Sequence, residues 1–334
     1  MTTTPPPITV PPTEPSLETA PPPRPATSTP VRRSRRNLLP YLLVLPALIA
    51  ELSIHIGPML LGIWTSFVQL NQTSIRNWIG APFVGFTNFI NGLNPDGPIG
   101  SEFFSTLART SVYTVLVVGI SWSLGTAAAY FLSTEFRGRA FLRTFFLLPY
   151  AIPAFVGVIA WAFMFNQSNG MINTVLVDQL HILTDRPFWL VGPGSFFVIV
   201  IVSVWGMWPF AFLLQMAAIQ SVPAEVQEAA ALDGASRTRT FFLVTLPMVR
   251  SANVVMLLLM FLAAFNQFNV PFVLFGPSSP EDAQLISPLI YQFSFGTWNF
   301  GLGAAVSTLL LVFLLVVTMI YIRLVMPKEK SDRA

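Results

Sequence analysis

Five long stretches of the chain carry no acidic or basic residue: Ser111 to Thr134, Thr144 to Val177, Pro187 to Ala224, Ser251 to Pro280 and Ala283 to Ile322. A sixth, Leu38 to Phe67, is interrupted only by Glu51 and His55. Each is longer than the roughly 20 residues that cross a hydrocarbon layer as a helix. The runs are apolar on every face, without the strict alternation of a membrane barrel. The pattern therefore predicts an all-α, polytopic membrane protein with six transmembrane helices, near 41–67, 107–133, 141–165, 196–219, 251–275 and 302–325.

Residues 1–37 are rich in Pro, Thr, Ser and Glu and end in Arg32, Arg33, Arg35 and Arg36. Proline at this density builds neither helix nor central strand, so a disordered arm is expected, followed by a membrane domain over 38–326 and a short tail over 327–334. Of the 18 basic residues, all but Arg76, Arg109 and Arg186 fall in the arm, the tail or alternate loops. Such a bias predicts cytoplasmic termini and a multi-pass protein of the cell membrane. It also explains the net charge of +3 without a nucleic-acid partner.

Composition narrows the chemistry. Of 334 residues 53% are apolar and only 10% charged, against about 25% in a soluble domain. There is no cysteine, which excludes disulfides and thiolate chemistry. His55 and His181 are far apart, which argues against a zinc site. The only lysines, Lys328 and Lys330, follow no glycine-rich stretch, so the chain has no phosphate-binding loop of the Walker type. No span or loop assembles a nucleophile, base and metal set, so a membrane enzyme lacks support. The energy for any transport comes from elsewhere, or from an ion gradient.

The segment 221–250, between the fourth and fifth predicted spans, carries the strongest local signal. Pro223 opens a short helix, Glu225 and Glu228 sit near its positive end, alanines fill it and Gly234 stops it. Val226, Ala229, Ala230 and Asp233 are expected on one small, flat face suited to docking. Glu228-Ala229-Ala230, three residues, Gly234, nine residues, then Val244-Thr245-Leu246-Pro247 resembles the EAA loop of bacterial ABC importer permeases. Val244 stands where isoleucine is commoner. The resemblance implies the type I importer permease fold and a loop that seats in a separate ATP-binding subunit, with Glu228, Ala229, Ala230, Gly234, Leu246 and Pro247 as coupling residues. That subunit, as a dimer, would bind ATP and magnesium, leaving this chain without a cofactor or an enzymatic activity of its own.

Arg143 to Phe155, Phe165 to Asn173, and Phe265-Asn266 with Asn269 are similar to the maltose-type carbohydrate permeases, in particular the larger of their two membrane subunits. The resemblance implies a sugar substrate, an extracytoplasmic sugar-binding protein and a second homologous permease. Two features depart from it. Only about 30 residues join the third and fourth spans, where some members carry a large insertion, and Gly276-Pro-Ser-Ser-Pro280 replaces the usual Gly-Gly-Pro.

A sugar site needs aromatic faces for the CH side of a pyranose and amides for its hydroxyls. The fifth span offers Asn266, Gln267 and Asn269, and amides facing lipid are costly. On a continuous helix Asn266 and Asn269 share a face. The fourth span offers Trp205, Trp208 and Phe210, of which Trp208 and Phe210 match family positions near bound sugar. The substrate surface is thus expected to include Trp208, Phe210, Phe265, Asn266 and Asn269. Amides also join membrane helices, but here the substrate surface is the favoured reading for them, whereas Trp205 by itself reads as core or belt. Glu51 and His55, four apart, suit a mutual hydrogen bond, or alternatively a proton relay in a proton-coupled transporter. Glycerol phosphate or another polyol is the other substrate left open.

Overall fold

The computed structural model describes residues 39–325 and divides the chain into two compact units, before and after the Leu52–Ser53 bond. The predicted arm and the tail lie outside the described residues. In the first unit α1 (Leu39–Glu51) exposes every residue from Tyr41 to Glu51, and Pro46 lies within it.

The described part of the second unit is built mainly of helices: α2 (Gly57–Thr65), α3 (Thr87–Leu93), α4 (Pro98–Leu132), α5 (Arg139–Phe146), α6 (Leu148–Ala151), α7 (Ala154–Met164), α8 (Gly194–Gln220), α9 (Ala224–Leu232), α10 (Arg237–Thr240), α11 (Arg250–Phe265), α12 (Asn269–Phe275), α13 (Ile286–Tyr291) and α14 (Phe300–Val325), with longer connections over 66–86 and 165–193. The described residues contain no strand, only isolated bridges at Val68–Phe83 and Asn71–Asn299.

Among the described residues five helical segments are long and apolar enough to cross a membrane: Tyr41–Thr65, Pro98–Leu132, Gly194–Gln220, Arg250–Phe275 and Phe300–Val325. The second begins nine residues before its predicted start, because nothing between Pro98 and Leu107 interrupts the helix. The predicted third span, 141–165, is broken instead of continuous. Ile152 and Pro153 are extended (ψ 133° and 127°), as expected of a residue before proline and of a proline that cannot donate to a helix ladder. The fifth is interrupted too. Pro271 has no N–H for the carbonyl of Gln267, and α11 ends at Phe265 while α12 starts at Asn269.

The core forms where α4 packs along α8. Ser121, Gly125 and Ala129 repeat every four residues on α4 and are all buried, and a Cβ on Gly125 would meet the Phe212 nitrogen at 2.6 Å. Small residues at this spacing let two membrane helices approach backbone to backbone. Polar bonds then fix the register. The Tyr113 hydroxyl donates to Ser203 Oγ (2.6 Å), and Gln215 Nε2 donates both to Thr126 Oγ1 (2.8 Å) and to Asn253 Oδ1 (2.7 Å). Trp122 Nε1 donates to the same Asn253 oxygen (2.8 Å), tying α11 to the pair. A buried network with its members paired costs little and specifies one arrangement.

The loop after α7 is pinned by Asn173, wholly buried. Its amide donates to the carbonyls of Gln167 (3.0 Å) and Pro187 (3.2 Å), and its Oδ1 accepts from Trp189 Nε1 (2.7 Å). The Asn166-to-Asn173 stretch of the resemblance thus has a folding role.

Candidate functional site

Two places hold the candidate residues. The first is the loop around α9. The Ala235 N–H donates to the Ala230 carbonyl and the Gly234 N–H to that of Ala231, both at 3.0 Å, with Gly234 at φ +77°. This is a Schellman cap, which needs a left-handed residue after the helix. A Cβ on Gly234 would touch nothing within 4 Å, so glycine is required for its conformation and not for space.

Past the cap, Ser236 Oγ accepts from the Arg239 N–H (3.4 Å), and Arg237 clamps the loop to the end of α4. Its Nη2 donates to the Tyr130 carbonyl (2.8 Å) and to Ser133 Oγ (3.2 Å), and its guanidinium lies 4.7 Å from the Tyr130 ring centroid. The Tyr130 hydroxyl bonds Thr238 Oγ1 (2.9 Å) and its ring packs on Phe241 (4.7 Å). Phe241 and Thr245, one turn apart, are buried; Leu246 is half-buried and Pro247 exposed.

The expected flat face divides. Val226 and Ala230 are half-buried, whereas Glu225, Glu228, Ala229, Leu232, Asp233 and Gly234 are exposed. A helix one turn from the bundle turns its i and i+4 apolar positions inward. The outward face therefore carries Glu225 and Glu228 toward its start and, at its end, Asp233 beside Leu232, which is 90% exposed.

The second place is a cavity of about 610 Å³ between the broken segment 149–154, α8, α11 and the turn before α12. Tyr150, Trp205 and Phe210 supply rings, with Tyr150 and Phe210 6.2 Å apart, and Ser203 and Gln267 supply polar groups. Gln267 Oε1 accepts from the Val270 N–H (3.4 Å). None of the lining residues is charged.

Of the residues expected at the substrate surface, Phe210 borders this cavity. Trp208 faces away, its ring 5.4 Å from Phe146 and 6.3 Å from Phe212 in a separate core. Phe265 is 1% exposed and packs on Phe261 and Phe313, which makes it a core residue. Asn266 and Asn269 do not share a helical face, since the helix ends between them; both are exposed, neither borders the cavity, and Asn266 Nδ2 donates to the Leu262 carbonyl (2.9 Å). Gln267, between them, is the amide that borders the space. Trp205 does so as well, its ring fitting where a Cβ on Gly157 would come within 2.7 Å. The signal for both was the proline pattern: Pro149, Pro153 and Pro271 break helices around one point.

Interrupted apolar helices around a neutral cavity, with a capped helix outside the bundle, define the membrane component of a transport system. The chain belongs to the family described as binding-protein-dependent transport system inner membrane component, which matches residues 106–331. It is 31% identical over 290 residues to the inner membrane ABC transporter permease protein YcjO of Escherichia coli (strain K12), covering 86% of this chain and 94% of that protein. It is 32% identical over 291 residues to the trehalose/maltose transport system permease protein MalF of Thermococcus litoralis, with the same coverage. Identity to the sn-glycerol-3-phosphate transport system permease protein UgpA of Shigella dysenteriae is 31% over 312 residues, 91% of this chain and 99% of that one. The fold resembles that of a chain in the crystal structure of a bacterial alginate ABC transporter in complex with its pentasaccharide-bound periplasmic protein, at TM-score 0.73 and 22% identity over 86% of this chain and 94% of that one. The chain is thus a multi-pass transport subunit.

Proposed function

We propose that this chain is the permease subunit of a binding-protein-dependent ABC importer for a neutral sugar, with both termini in the cytoplasm. The observation that carries the substrate reading is the cavity: three rings, a hydroxyl, an amide and no charged residue. Rings cover the CH face of a pyranose, amides and hydroxyls pair its O–H groups, and a phosphorylated polyol would call for a basic residue that this lining lacks. The relatives named above for sugars and for glycerol phosphate bracket the same choice. Asn266 and Asn269, exposed next to Gln267, extend the surface toward the half of the pathway that a second, homologous permease supplies. An ATP-binding subunit dimer would seat the outward face of α9, with Glu228 and the Gly234 cap fixing its position and Leu246 and Pro247 closing the loop. An extracytoplasmic binding protein would deliver the sugar.

The test is uptake by the assembled complex in proteoliposomes against a panel of neutral sugars and glycerol phosphate, with ATP inside or a proton gradient imposed. ATP-dependent uptake of a neutral sugar is expected. Uptake driven by the proton gradient alone, or selective for glycerol phosphate, overturns the reading.

A further inference from the structure

Tyr113 does not line the central cavity, yet it governs one of the polar groups that do. It sits on α4 with no exposed surface, and its hydroxyl meets Ser203 Oγ at 2.6 Å, its one hydrogen-bond partner among the described residues. A hydroxyl carries one hydrogen and two lone pairs. Were Ser203 the donor, the tyrosine hydrogen would be left in the core without an acceptor, which costs the full desolvation of that group. Tyrosine therefore donates, and the serine hydrogen needs an acceptor elsewhere.

Other serines on long helices show where it would ordinarily go. Ser111, Ser123 and Ser307 turn their hydroxyls back to the carbonyls four residues earlier, of Leu107 (2.8 Å), Gly119 (2.7 Å) and Gly303 (2.8 Å). That is the usual habit of serine in a helix. Ser203 makes no such bond to Ile199 and is 5% exposed, and it borders the cavity. We propose that Tyr113 is a positioning residue for the substrate: it holds the Ser203 hydroxyl off the helix backbone, so that its hydrogen is offered to a substrate oxygen. The cavity then favours, at that point, a solute with an acceptor. This role rests on the reading of the cavity as the substrate surface; the Tyr113–Ser203 arrangement does not.

The arrangement is tested first. The chain has no cysteine, so Ser203→Cys supplies a single thiol. The full chain in neutral detergent is alkylated with iodoacetamide at a fixed, near-neutral pH. A thiolate that accepts from the Tyr113 hydroxyl forms more readily, so adding Tyr113→Phe should slow alkylation roughly tenfold. The thiol of Ala263→Cys, on the same cavity, should respond to Tyr113→Phe by less than about twofold. An equal response at both positions, none at Ser203→Cys, or no reaction there at all would overturn the arrangement. The role is tested next, as uptake per assembled complex in proteoliposomes, with the neutral sugar of the panel above that is taken up best and its monodeoxy derivatives. Rates are compared with those of the unmodified protein for the same sugar, so that selection by the binding protein cancels. Tyr113→Phe and Ser203→Ala should each lower uptake about fivefold, and the double variant should match Ser203→Ala, because Tyr113 acts through Ser203. Tyr113→Phe should also narrow the gap between the parent sugar and one monodeoxy derivative. Additive losses, or less complex with unchanged uptake per complex, would make Tyr113 a packing residue and overturn the role. Uptake of no neutral sugar would sink the substrate reading, and the role with it, while the alkylation ratio still decides the arrangement.

Discussion

The loop around α9 and the central cavity are built by opposite means. The helix and its cap are made of near neighbours, nine residues and the bonds spanning Ala230 to Ala235, and the Arg237 clamp then ties them to Tyr130 on α4. The cavity is made of residues from Pro149 to Val270, those of the segment 149–154 and Gln267 placed where helices stop. On the proposed reading, a docking element that a separate subunit recognises works when its shape is set locally. A substrate surface that has to change during transport works when its walls hang from breaks in the helices.

Four experiments press on this contrast. The largest effect is expected from Gly125→Leu, which drives a side chain into the α8 backbone and costs about 3 kcal/mol or more. Folded protein in the membrane should be nearly lost, although the loop sequence is intact. Recovery of normal amounts by size-exclusion chromatography would mean that the α4–α8 contact is not what positions the cavity.

Next, Gly234→Val places a β-branched residue at φ +77°. The strain is about 1–2 kcal/mol and falls on the cap alone. Combined with Glu228→Lys it should lower complex assembly or transport-coupled ATP hydrolysis strongly while the external protein still binds its ligand. Normal coupling by the double variant would show that α9 is not the docking element.

Within the cavity, Gln267→Ala and Phe210→Ala should each reduce uptake per assembled complex roughly 5-fold to 150-fold, the equivalent of about 1–3 kcal/mol. Asn269→Ala, outside the lining, should act less. Trp208→Ala is the control: it should lower the amount of complex but leave uptake per complex unchanged, since its ring is committed to Phe146 and Phe212. A fall in uptake per complex for Trp208→Ala and none for Gln267→Ala would invert the assignment.

The smallest perturbation tests orientation. Single cysteines replacing Ser236 in the loop and Ser278 between α12 and α13, both exposed, should differ toward an impermeant thiol reagent in intact cells. Only the second is expected to react. The reverse order would place the loop outside and remove the docking reading.

The same contrast governs what was legible from sequence. Long uncharged runs marked the spans, because burial in lipid constrains every position of a helix at once. The α9 cap was legible in Pro223, Glu225 and Gly234, whose effects act within a turn. The cavity was not. Treating 251–275 as one helix put Asn266 and Asn269 on a shared face, and only the missing N–H of Pro271 reveals that the face does not exist. Phe265 and Trp208 went the same way: ring type and position suit a site, but which side of a helix is covered depends on partners far along the chain. The Trp122, Thr126, Gln215 and Asn253 network carried no pattern, since each residue gains meaning from the other three.

The Arg237 clamp sets the mechanics of the loop. A rod of nine residues is about 13 Å long, and its far end is fastened to α4 at Tyr130, not only to α8, which precedes it in the chain. Load applied along α9 therefore arrives at α4 without first passing through Pro209 inside α8. On the proposed docking the short rod acts as a crank, with Gly234 as its elbow and the longest of the described helices as its shaft, so stiffness is wanted at the cap and compliance at the breaks around the cavity.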